Sequence, residues 1–134
     1  MKERDIQTAL SKVHNIHGVF ELKLCKTNSI RFDAVKEHQV DALLKASGEG
    51  LFHKITDFPV FGGSNMRFNR AKPFDFFFLK ETPAFVVVCF YVPRKRKTCY
   101  FIYINSWLAV EKSSAKKSIR EEQIKEIAIY TKEL

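Results

Sequence analysis

The alternation of apolar and polar residues divides the chain into short elements of two periods. Ile6, Leu10 and Val13 recur at helical spacing with Ala9 beside them, which predicts a helix over 2–14. Asn15 to Gly18 breaks that pattern. Val19 to Leu24 then alternates strictly: Phe20, Leu22 and Leu24 face one way, Val19, Glu21 and Lys23 the other. Cys25 to Arg31 reads as a polar loop. Asp33 can cap a helix from Ala34 to about Ser47, and Gly48 stands where such a helix ends. Leu51 to Ile55 predicts a short strand, residues 57–72 a long loop, and FDFFFL after Pro73 another strand whose three-phenylalanine face is core. Past the turn Glu81-Thr82-Pro83, AFVVVCFY shows no polar alternation, as expected of a strand buried on both faces. PRKRKT reads as a hairpin loop and CYFIYI as the returning strand. Trp107 to Val110 predicts a helical turn and Glu111 to Lys117 a polar linker. Ser118-Ile119-Arg120-Glu121 matches a capping box that opens a last helix. The predicted order α-β-α-β-β-β-β-α belongs to an α/β or α+β domain with a central mixed β-sheet flanked by helices. No internal repeat stands out.

A chain of 134 residues predicts a single domain spanning 1–134. Its 46% hydrophobic and 13% aromatic content suffices for a core and excludes wholesale disorder. No apolar run approaches the ~18 residues of a membrane-spanning helix. The opening MKERDIQTAL carries acids and lacks the apolar centre of a secretion signal. The expectation is a cytoplasmic protein, in the host cytoplasm if phage-encoded, with no membrane partner. Cys25, Cys89 and Cys99 are odd in number and form no CxxC, which argues against a disulfide scaffold and a zinc knuckle. Cys89 and Cys99 lie in apolar runs and are predicted core thiols. The excess of 23 Lys and Arg over 15 Asp and Glu, a net +8, favours a polyanionic partner, with nucleic acid ahead of an anionic membrane surface.

Candidate chemistry begins at Glu21 and Lys23. Two residues apart on one strand, their side chains leave the same face. A carboxylate there can hold a divalent ion, while the ammonium holds or deprotonates a water or offsets phosphate charge. Asp75 sits in a run so apolar that, buried, it needs a metal, a cation or a strand-end position. Gln39 lies between Val35 and Leu43 at i, i+4 spacing, so it shares the apolar stripe of its helix and needs a polar partner on the sheet. Glu21, Lys23 or a metal-bound water can supply one. Asp57 follows a strand directly, at the kind of strand end where α/β sheets place ligands.

Glu21-Leu22-Lys23 on a strand, followed by a helix with Gln39, resembles the E-x-K and Q signature of the PD-(D/E)XK nuclease superfamily. The run Glu37 to Leu43 resembles Holliday-junction resolvases of the RecU type. FELK through EHQVDAL, then HKITD (His53 to Asp57), then KPFDFFFL (Lys72 to Leu79) together resemble small phage-encoded resolvase-like proteins. The resemblance implies a restriction-endonuclease-like core and hydrolysis of DNA phosphodiesters with Mg²⁺, or Mn²⁺, as cofactor. It implies that Glu21 and an aspartate bind the metal, that Lys23 positions the attacking water, and that Glu3 on the first helix completes the site. In the superfamily the aspartate precedes E-x-K. Here Asp75 comes after it, so the motif order would be permuted, with the strand of Asp75 beside that of Glu21. Asp57 is the other candidate for that ligand.

The cations gather on two loops. Arg94, Lys95, Arg96 and Lys97 are consecutive on the predicted hairpin tip, and Arg67, Arg70 and Lys72 flank the 57–72 loop. Phosphate contacts from such loops give salt-dependent affinity that ignores sequence. A branched DNA substrate and a homodimer follow from the resolvase likeness, because a four-way junction needs two symmetric cuts. Two other classes compete with the nuclease: a DNA-binding module that keeps the fold without catalysis, and an interaction protein whose basic loops serve solubility.

Overall fold

The run without polar alternation forms the middle of the molecule. In the computed structural model, which describes residues 2–10, 16–54 and 76–134, every residue of β5 (Ala84–Phe90) is buried. β1 (Val19–Cys25) pairs with it in parallel, and β6 (Thr98–Tyr103) pairs on its other side, antiparallel. β8 (Tyr130–Glu133) closes the far edge, so the four-stranded sheet runs β1-β5-β6-β8. A parallel pair beside antiparallel ones makes the sheet mixed, and helices flank it, as the apolar pattern predicts.

Both faces of the sheet carry a core, which is why its central strands are apolar on both sides. On one face α1 (Glu3–Leu10) sets Ile6 against Leu22, Phe85, Val87 and Phe101. On the other, α2 (Glu37–Ser47), α3 (Ile104–Ser113) and α4 (Glu121–Ile127) supply Leu43, Trp107 and Ile124 against Val86, Val88 and Ile102. Trp107 is wholly buried and edge-on to Phe32, at 5.4 Å between ring centroids. Cys25, Cys89 and Cys99 are buried free thiols. Cys89 and Cys99 face each other across β5 and β6, and a hydrogen bond between the two thiols together with burial pushes the Cys99 thiol up.

Two small ribbons complete the fold. β2 (Ser29–Arg31) pairs antiparallel with β7 (Ser118–Arg120), and β3 (Leu51–Lys54) with β4 (Phe76–Leu79). Several local expectations change here. Cys25 to Arg31 is not all loop, because its end is β2. Asp33 does not cap a helix. It lies in a 3-10 turn (Phe32–Ala34), where the Arg31 guanidinium grips both its oxygens at 2.9 and 2.7 Å, and α2 starts only at Glu37. Ser118 opens a strand rather than a capping box, and the helix behind it starts at Glu121. The helical turn at Trp107 is a ten-residue helix. The last helix is followed by β8, an edge strand too short and too polar to stand out in the sequence. The three-phenylalanine face of FDFFFL is not all core. Phe78 is 50% exposed, its ring lying over Gly50, where φ is +125° and any Cβ would strike that ring.

Among the described residues, no helix is long and apolar enough to cross a membrane.

Candidate functional site

The edge strand β1 begins where Gly18 lets the backbone press against its neighbours. A Cβ there would collide with the Pro83 carbonyl and the Phe85 ring, and that closeness allows Val19 N–H to reach the Pro83 oxygen at 2.8 Å. With the start of β1 set, alternation turns Leu22 onto the α1 face and Glu21 and Lys23 onto the face covered by α2.

Three of the predicted site residues meet on that face. Lys23 Nζ lies 2.9 Å from Glu21 Oε1, and Gln39 Nε2 donates to the same oxygen at 2.6 Å. Their side chains are half-buried, with 16% of Lys23 and 27% of Glu21 exposed, so the pair is shielded from bulk water and screened less than a surface ion pair. Gln39 is the third residue of α2. Its Oε1 accepts the backbone N–H of Lys36 at 2.9 Å. That bond caps the helix and decides the orientation of the amide. With the carbonyl oxygen turned to the backbone, only the NH₂ can face Glu21. The Lys36 side chain has no acceptor and takes no part in the cap. No described residue bonds to Glu21 Oε2.

The other predicted ligands are not assembled in the same way. Asp57 and Asp75 lie outside the described residues, as do Arg67, Arg70 and Lys72. The strand expected to carry Asp75 beside β1 does not lie there. β4, which follows Asp75 directly, pairs with β3. The Leu51–Leu79 and Lys54–Phe76 pairings close a separate ribbon, and the described neighbour of β1 is β5. Glu3 is exposed on α1, on the opposite face of the sheet from Glu21, so the structure does not bring it to the trio. Among the described residues, no three His, Cys, Asp or Glu side chains form a metal-binding group.

The basic tip lies between β5 and β6, as the pattern predicts, and its four cations are not equivalent. Arg96 pairs with Glu133 of β8 at 3.2 Å, and Lys97 sits over the Tyr91 ring at 5.6 Å. Arg94 and Lys95 are exposed and have no described acidic partner. Arg94 holds φ at +67°, a left-handed conformation uncommon for a residue with a Cβ. The structure also brings together cations that the sequence pattern does not single out, at Lys116 and Arg120 beside β7.

No protein-family model, curated protein or solved structure matches the chain.

Proposed function

We propose that this protein is a metal-dependent endonuclease that hydrolyses DNA phosphodiesters, with branched DNA such as a Holliday junction as its substrate. One observation carries the reading. Glu21, Lys23 and Gln39, chosen for the E-x-K and Q pattern, converge on a single carboxylate oxygen. A solvated strand face has no need of a helix-capping glutamine as a third partner, and here one is present.

Within this reading the ion is Mg²⁺ or Mn²⁺, which would polarise the scissile phosphate and lower the pKa of an attacking water. Mg²⁺ keeps several of its waters and needs only one or two carboxylates besides substrate phosphate. Glu21 is a fitting hard-oxygen ligand, and Asp57 or Asp75 is the second candidate. Gln39 holds Glu21 in place. The Lys23 ammonium orients the water or offsets charge on the phosphate. Arg94 and Lys95 contribute phosphate contacts from the β5–β6 tip, and the protein acts as a homodimer on a two-fold substrate.

The deciding experiment incubates the purified protein with a labelled four-way junction and with matched linear duplex, in Mg²⁺ and then in Mn²⁺. Cuts that disappear with EDTA are expected. Intact DNA in both metals would retire the reading in favour of a non-catalytic DNA-binding module, provided the protein still shifts the junction.

A further inference from the structure

β2 and β7 have the same sequence, Ser-Ile-Arg, and they pair with each other. Because the pairing is antiparallel, Ile30 faces Ile119, Ser29 faces Arg120, and Arg31 faces Ser118. The flanking bonds repeat the symmetry: Glu121 N–H donates to the Asn28 carbonyl at 3.0 Å, and Phe32 N–H to the Lys117 carbonyl at 3.1 Å. A local two-fold axis therefore runs between the two isoleucines. Both are buried, which anchors the ribbon, and alternation turns both serine–arginine pairs outward.

The two corners are chemically unequal. Arg31 is paired with Asp33, its Nε and Nη2 donating to the two carboxylate oxygens at 2.9 and 2.7 Å. Arg120 and Lys116 are exposed and have no described acidic partner. From the Arg120 corner across to Ser118 runs an open concavity of about 590 Å³, whose lining includes Asn28, Ser29, Lys116, Ser118, Arg120 and Glu122. Its donors are a guanidinium, an ammonium, three hydroxyls and two amides, with Glu122 as the one carboxylate. Guanidinium and hydroxyl donors on a rigid ribbon suit phosphate oxygens. No large apolar side chain lines the concavity, so it lacks what a membrane surface would bury.

We propose that the outer face of the β2–β7 ribbon is a second contact for the phosphodiester backbone of DNA, centred on Arg120, Lys116, Ser29 and Ser118. It is separate from the β5–β6 tip and from the Glu21 trio. The proposal rests on the nucleic-acid part of the reading above and does not need DNA to be cut.

The test is the salt dependence of binding to a labelled duplex without divalent metal, for wild type, Lys116→Gln/Arg120→Gln and Arg31→Gln. Each phosphate contact contributes about 0.9 to the slope of log K against log salt, so the double variant should lose roughly two units of slope and bind more weakly. Arg31→Gln should change the slope far less, because Asp33 already neutralises that guanidinium. Arg120→Lys should keep most of the slope. Should the double variant fold poorly by circular dichroism, Ser29→Asp places a carboxylate in the corner and should weaken binding instead. An unchanged slope in the double variant, or an equal loss in Arg31→Gln, overturns the proposal. So does a double variant that loses binding to phosphatidylserine vesicles while holding DNA as before. Cleavage is scored separately: wild type that binds but never cuts ends the nuclease reading and leaves this one to the slopes.

Discussion

The first turns of α2 and α4 are built alike and used differently. Each follows a Ser-Ile-Arg strand in the chain, α4 directly and α2 after a 3-10 turn. Each has a glutamine at its third position whose side-chain oxygen accepts a backbone N–H, Gln39 from Lys36 and Gln123 from Arg120. Each also reaches the sheet. At α4 the donor is on the strand and the acid on the helix: the Tyr100 hydroxyl donates to Glu121 Oε1 at 2.9 Å. At α2 the polarity is reversed. The acid, Glu21, is on the strand, Gln39 supplies the donor, and Lys23 joins as a second donor to the same oxygen. Each carboxylate has a second oxygen without a described partner, so what sets Glu21 apart is that an amide and an ammonium meet on its one bonded oxygen, where Glu121 meets a single phenol. The contrast sets up a test of whether the trio at α2 does more than dock its helix.

Four substitutions probe that contrast, in falling order of expected effect. Glu21→Gln should reduce cleavage of a four-way junction to the blank while the melting profile stays close to wild type, and residual cutting would remove Glu21 from the chemistry. Gln39→Ala should cost ~10- to 100-fold in activity, the range typical of groups that orient a metal ligand. Activity retained within twofold would reduce Gln39 to a helix cap. Tyr100→Phe should cost about 1 kcal/mol of stability near neutral pH, with no change in cleavage. Burial, and then the bond to Glu121, raise the Tyr100 hydroxyl to about 12. The unfolded chain releases that proton near pH 10, so the stabilisation is complete below about pH 10 and fades as the pH climbs further. Denaturant titrations across that alkaline range should show the decline in wild type and not in Tyr100→Phe. Gln123→Ala should remove only a cap, ~0.3–1.5 kcal/mol, and leave cleavage untouched. Equal losses of activity in Gln39→Ala and Gln123→Ala would mean that both act through fold stability alone.

The trio was legible because its spacing is periodic. Alternation in VFELKL put Glu21 and Lys23 on one face, and the i, i+4 spacing of Val35, Gln39 and Leu43 aimed Gln39 at the sheet. The central apolar strand and its returning partner were legible for the same reason. Three-residue strands were not: Ser29–Arg31 and Ser118–Arg120 are too short to show a period, and only their mutual pairing reveals what they are. Local chemistry also misled. Asp33 has the composition of a helix cap, but the Arg31 fork two residues away competes for its oxygens. The run before Glu121 has the composition of a capping box, yet Ser118 is held in the ribbon and Gln123 does the capping. Pairing of the Asp75 region with β1 could not be read from periodicity, which sets the face of a strand but not its neighbour.

The parallel join between β1 and β5 has a consequence for the order of assembly. Val19 pairs with Ala84, 65 positions later (84 − 19), whereas Phe90 and Thr98 of the β5–β6 hairpin are only 8 apart (98 − 90). Chain entropy favours the short loop, so the hairpin should form early and β1 should join after the long crossover has closed. Pulse-labelled hydrogen exchange during refolding should find β5 and β6 amides protected before those of β1, and simultaneous protection would contradict this order. The strand that bears Glu21 and Lys23 should thus be the latecomer to its own sheet, while Gln39, only 18 positions from Glu21, is near enough in the chain to meet the carboxylate before that strand docks.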